Sequence, residues 1–121
     1  MRTTIPAVIL MLCTFLSPVH ASNIEFLKDT PYFGHFTDED RAIFHTTLDE
    51  LLKHGKAQDT RSWTNPDTGA NGILRLLPDP SDNSGCRLVD VRNNAGGKSG
   101  QGVHRFCPDA NGAWKWNPKT P

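Results

Sequence analysis

Cys86 and Cys107 are the residues of this chain whose type and spacing point most directly to chemistry, and that chemistry is oxidation to a disulfide. Two alternating runs, 87–91 and 102–106, flank the segment Ala95, Gly96, Gly97, Lys98. A type I′ hairpin turn needs positive φ at both central positions, which glycine supplies. With Gly96 and Gly97 in those positions, Ala95 faces Lys98, and counting outward from that pair brings Cys86 opposite Cys107. The alternation of an antiparallel ladder makes them a non-hydrogen-bonded pair with Cα atoms roughly 4.5 Å apart. That separation is at the short end of disulfide reach. A bridge closing a loop of about twenty residues contributes on the order of 3 kcal/mol in the loop-entropy account. A bulge or a longer loop through Ser99 and Gly100 would shift the count, and the alternative chemistry is two buried free thiols.

Other reactive side chains are scattered. His45 and Asp49 sit four apart on an expected helix with His54 further along, a spacing compatible with metal ligation, but no third-ligand pattern accompanies them. A solvated helix flank explains them better. His104 opposite Val89 has Asp90 as a neighbour across the register, yet adjacent strand positions point to opposite faces, so the two do not form an acid/base pair. There is no Gly-x-Ser-x-Gly elbow and no His-Glu-x-x-His. We expect no enzyme, no cofactor and no metal site.

The compartment follows from the N-terminus. Arg2 precedes an apolar run over 5–16, and Ser17, Pro18, Val19, His20 and Ala21 complete the pattern of a signal peptide over 1–21, cut between Ala21 and Ser22. The run is short for a membrane span and holds Thr14. Leu12 precedes Cys13 and the apolar run continues past it, which argues against lipidation. Two cysteines then remain in an exported domain of about a hundred residues, an even count that fits one structural bridge. The 13 basic and 13 acidic side chains balance, so no basic stripe calls for nucleic acid. Glycine and proline cluster between apolar runs, as in a turn-rich β domain, and the 3 tryptophans and 6 phenylalanines need burial.

These features require a framework. Residues 22–36 form an aromatic lead-in with Phe26, Tyr32 and Phe33, expected to pack over the domain at 37–117, with a frayed tail at 118–121. Thr37 reads as a helix N-cap ahead of Asp38, Glu39 and Asp40, and Gly55 as the C′ stop, giving a helix over 38–54. Phe44, Leu48, Leu51 and Leu52 make one apolar stripe, with Ile43 at its margin. A strand over 58–64 leads through Asn65, Pro66, Asp67, Thr68 and Gly69, read as a type I turn with a G1 bulge. The return strand over 71–77 carries Ile73 and Leu77 on one face and Leu74 and Leu76 on the other, and is read as central. The loop at 78–85 reaches Cys86, and Asn111-Gly112 turns the chain into Trp114 and Trp116, which share a face. Arg87 is expected to stack on Phe106 or meet a carboxylate. The fold class is α+β, one N-terminal amphipathic helix packed on a small antiparallel β-meander of four to five strands with one disulfide.

Over roughly 48–116, the succession of Trp63, Asn65, Pro66, Thr68 and Gly69, then Gly72, Cys86-Arg87, Cys107 and Asn111-Gly112-Ala113-Trp114 resembles the rickettsial-type 17 kDa surface antigen family. Members are small exported bacterial proteins, often outer-membrane lipoproteins. This chain differs in lacking the lipidation cysteine and a Gly-rich segment, and in having Pro108 after the second cysteine. The resemblance implies a non-catalytic envelope protein in the periplasm or at the outer membrane, peripheral at most and not lipidated. Its expected partner is another envelope protein or a cell-wall component, with Trp114 and Trp116 as the contact surface. The alternative is a periplasmic inhibitor or immunity protein that inserts the loop at 78–85 into an envelope hydrolase.

Overall fold

The computed structural model describes residues 21–118. The expected signal peptide therefore lies outside the described residues except for Ala21, as does the expected tail beyond Pro118. The expected cut between Ala21 and Ser22 falls at the start of a 3₁₀ turn, Ala21–Leu27, and a second short turn spans Phe33–His35.

One α-helix follows, α1 at Asp38–His54. Thr37 caps it, its hydroxyl accepting from the Asp40 amide at 3.1 Å while the Asp40 carboxylate accepts from the Thr37 amide at 2.8 Å. This reciprocal capping box satisfies two donors that a helix start otherwise leaves orphaned. Phe44, Leu48, Leu51 and Leu52 are buried as one stripe, with Ile43 half-buried beside it. Gly55 ends the helix in extended backbone at φ −74° rather than in the left-handed conformation expected of it. Glycine stands there for space, because a Cβ would lie 2.5 Å from the Leu51 carbonyl oxygen.

Five strands form one antiparallel meander in sequence order: β1 Thr60–Thr64, β2 Asn71–Leu76, β3 Arg87–Ala95, β4 Lys98–Pro108 and β5 Trp114–Trp116. The β3–β4 register follows the glycine turn as expected: Ala95 pairs with Lys98, Arg87 with Phe106, and Gly96 and Gly97 have φ of 57° and 75°. The β1–β2 loop differs slightly. Four residues, 66–69, lie inside the Asn65/Ala70 pair, one more than a type I turn with a G1 bulge holds, and Gly69 takes the left-handed position at φ 80°.

Among the described residues, helices pack on one face of the sheet only. Helix α1 and the lead-in pack on Leu74, Leu76, Val89, Val91 and Phe106, and Ile24, Leu27, Tyr32 and Phe36 complete that core. The expectation that the return strand is buried on both sides is overturned. Ile73, on the opposite face, is 50 % exposed because no second layer among the described residues covers it. Its strand is interior to the sheet as expected, paired with β1 on one side and β3 on the other. Asn117, the last residue of the expected domain, is tied to Arg105, its amide donating to the Arg105 carbonyl at 2.9 Å.

Candidate functional site

The disulfide joins Cys86 to Cys107 with Cα atoms 4.2 Å apart, on the uncovered face of the sheet. The loop at 78–85 folds back beside it. Asp82 orders this loop, accepting from the Ser84 amide at 3.1 Å and its hydroxyl at 2.6 Å, and lies 3.5 Å from the Arg105 guanidinium. The loop is thus shaped by its own side chains.

The turn motif proves to be internal scaffolding. Asp40, 0 % exposed, accepts from the Asn65 amide at 2.8 Å and the Thr68 hydroxyl at 2.7 Å, so the turn is fastened to the start of α1. Burial alone would raise its pKa, but the Thr37 amide, Thr68 and Asn65 outweigh it and hold the carboxyl below its ordinary 3.8. A carboxylate depressed in the folded state adds stability above its unfolded pKa, and that stability is lost as pH falls through the folded value. Urea denaturation is therefore expected to show wild-type stability declining below about pH 4, with Asp40→Asn lowering neutral-pH stability by about 2 kcal/mol and flattening that decline. An equally steep acid decline in the variant would contradict this role.

Two further motif residues, Trp63 and Gly72, form a second buried unit with Asn93. Trp63, Gly72 and Asn93 pair across three strands, and the Trp63 indole crosses Gly72 to donate to Asn93 Oδ1 at 2.9 Å. Trp63 is 4 % exposed and belongs to the core. Tyr32 packs beside this unit, 3.0 Å from where a Gly100 Cβ would stand, and burial raises its phenol pKa.

Arg87 neither meets a carboxylate nor stacks on Phe106. It reaches the helix end, donating to the Leu52 carbonyl at 2.6 Å and the Gly55 carbonyl at 2.9 Å, and its guanidinium sits 5.7 Å from the Trp114 ring centre. The last carbonyls of a helix lack internal partners and carry partial negative charge, which draws a cation there. Arg87→Met is expected to lower stability by about 1.5 kcal/mol, read by thermal unfolding, because it leaves those carbonyls unpaired.

His104 is half-buried with its ring 4.7 Å from that of Phe26, and burial lowers its pKa against the opposing charge of Asp90. Asp90 lies on the other face, where Gln101 donates to it at 3.1 Å. Asp49 pairs with Lys53 at 2.8 Å. Among the described residues no group of three or more metal-ligating side chains converges, and no helix is long and apolar enough to cross a membrane.

What the fold does bring together is a cleft between α1 and the edge strand β5, with a volume of about 150 Å³. Leu48 and Leu52 form its helix wall, Phe106 its floor, and Trp114 and Trp116 its strand wall, while His45 and Asp49 stand on the rim. Trp116 is 47 % exposed and Trp114 half-buried. Sequence reasoning placed the two indoles on one face but separated them from His45 and Asp49, because only the packing of α1 beside β5 unites residues so far apart in the chain. Family models, curated proteins and solved structures were compared with this chain, and none matches.

Proposed function

We propose that this is a non-catalytic exported module of the bacterial envelope, of the surface-antigen kind its motifs resemble, presenting a binding surface in the periplasm or at the outer membrane. Its partner is an envelope protein or a cell-wall component. The observation that carries this reading is the β5 edge: Trp116 is 47 % exposed at the mouth of a cleft although the core is complete without it. Large amphipathic rings held rigidly at a surface are the side chains that dominate binding energy. The disulfide supports the compartment, since such bridges persist outside the reducing cytoplasm. Envelope fractionation followed by photocrosslinking from position 116 tests it. Capture of an envelope protein or wall fragment at 116, and not at exposed Thr46, is expected. Recovery from the cytoplasm with both thiols reduced would overturn the reading.

A second reading, inhibition of an envelope hydrolase, is favoured by the ordered loop at 78–85. Cys86 anchors one end, and Leu77 donates to Leu88 at 2.9 Å at the other. An exposed loop held in shape loses little entropy on entering a cleft. Capture of a hydrolase that is abolished by trimming this loop, and unaffected at Trp116, would favour it over the first.

A further inference from the structure

We propose that the cleft between α1 and β5 is a saccharide subsite taking one neutral pyranose ring. This rests on the binding-module reading above and names its ligand class. At about 150 Å³ the cleft is smaller than the sites that enclose whole drug-sized ligands, and it suits a single ring whose chain continues into solvent.

Both indoles are braced by neighbours. Arg87, itself fixed to the helix carbonyls, lies 5.7 Å from the Trp114 ring centre, and Phe26 stacks on Trp116 with ring centres 6.0 Å apart at 29°. Bracing of this kind removes the ordering penalty that a mobile aromatic would incur on binding. A pyranose has an apolar C–H face and a periphery of hydroxyls, so it needs an aromatic surface together with neighbouring donors and acceptors. Trp114 and Trp116 provide the first, and His45 and Asp49, on the rim one helical turn apart, provide the second.

The charge balance selects a neutral ring. Asp49 carries Lys53 at 2.8 Å, which offsets its negative charge locally. Lys115 contributes to the cleft wall, but strand alternation directs its side chain to the face opposite Trp114 and Trp116. No uncompensated charge is thereby aimed at the ring.

The test is titration of the oxidised full-length protein with an N-acetylglucosamine oligomer, a glucose oligomer, an acidic galacturonate oligomer and a Trp-containing peptide, observed through the three indole N–H signals in NMR. Trp63 is an internal control because its N–H is buried against Asn93. The expected result is saturable movement of the Trp114 and Trp116 signals with a neutral oligomer while Trp63 stays fixed, with the preferred oligomer separating an amino-sugar wall glycan from a plain hexose source. Trp116→Ala, and Asp49→Ala at a half-buried helix position checked for an unchanged Trp63 signal, should each weaken binding by about tenfold or more. No saturable movement with either neutral oligomer up to about 10 mM, equal affinity in both variants, or preference for the acidic oligomer or the peptide would overturn the assignment. Envelope crosslinking from position 116 without sugar binding would overturn this inference and leave the binding-module reading standing; sugar binding by a protein confined to the cytoplasm would do the reverse.

Discussion

Replacing Gly72 by alanine is expected to lower stability by about 3 to 4 kcal/mol, a large part of the roughly 5–15 kcal/mol available to a small domain. Its backbone is ordinary β; what matters is space. A Cβ there would fall inside van der Waals contact of Asn93 Oδ1 and Trp63 Nε1 and stand 2.6 Å from the Arg92 carbonyl oxygen. The first two atoms are the partners of the buried indole hydrogen bond, and the third is backbone of the neighbouring strand. The methyl group therefore separates a paired donor and acceptor inside the core and pushes β2 from β3. Leaving both groups unpaired is the larger part of the expected loss, and the strand shift supplies the rest. Urea denaturation measures the total, and the Trp63 indole N–H signal reports the broken bond directly. A Gly72→Ala protein within about 1 kcal/mol of wild type, with that signal unmoved, would mean that the three-strand unit tolerates a methyl group and that Gly72 is not there for clearance.

The second large effect is expected from removing the disulfide. Cys86→Ala with Cys107→Ala opens a loop of sequence separation 21 and should lower stability by about 3 kcal/mol, with reduction of the wild type giving a similar loss. The loss should be local in its consequences. Nine residue pairs and the Gly96-Gly97 turn already hold β3 to β4, so the ladder survives. The segments that depend on the bridge lie beside it: the loop at 78–85, and β5, which pairs through Lys115 with Cys107 itself. Hydrogen exchange should accelerate first at Trp114–Trp116 and in the loop, and the cleft should lose its strand wall. Unchanged midpoints in urea together with unchanged exchange in β5 would show that the bridge fastens nothing the ladder does not already fix.

The two effects act on different states of the chain. The alanine at 72 raises the energy of the folded protein, whereas the lost bridge acts on stability mainly by freeing the unfolded chain, its folded-state effect being confined to β5 and the loop beside it. They also lie on opposite faces of the sheet, with Gly72 under the helix and the cysteines on the open side. Their free energies should consequently add in the triple variant, since the groups involved share no partner.

How much could be read from the sequence depended on how locally each feature is specified. Thr37 and the acidic first turn marked the helix start, and the apolar spacing of Phe44, Leu48, Leu51 and Leu52 marked its buried stripe, because capping and amphipathicity involve residues within a turn or two of one another. The hairpin register was equally legible. Two adjacent glycines fix the turn, and alternation then pairs every residue out to the cysteines. The capping box itself, Thr37 with Asp40, was a local signal that went unused.

Other features were illegible for the converse reason. Nothing near Asp40 shows that it will receive Asn65 and Thr68, which lie 25 and 28 residues further on. Arg87 looked like a partner for its cross-strand neighbour, but its long side chain reached the helix carbonyls of a different layer. Apolar residues on both sides of β2 suggested two covered faces, and only the absence of a second layer among the described residues left Ile73 exposed. The turn motif was visible as a motif, yet its purpose, joining helix to sheet and making room for the Trp63–Asn93 bond, emerged from contacts across the fold.

By itself, then, the amino-acid order determined the elements, their succession and the pairing that puts Cys86 beside Cys107, since propensity, capping and turn geometry act over a few residues and propagate along a ladder. Only the tertiary structure decided which face of the sheet is covered, that the turn residues serve the helix, and that His45 and Asp49 share a cleft with Trp114 and Trp116. The physical reason is that these outcomes depend on how α1 lies across the sheet, and that orientation is set by the joint packing of the whole apolar core rather than by any segment of it.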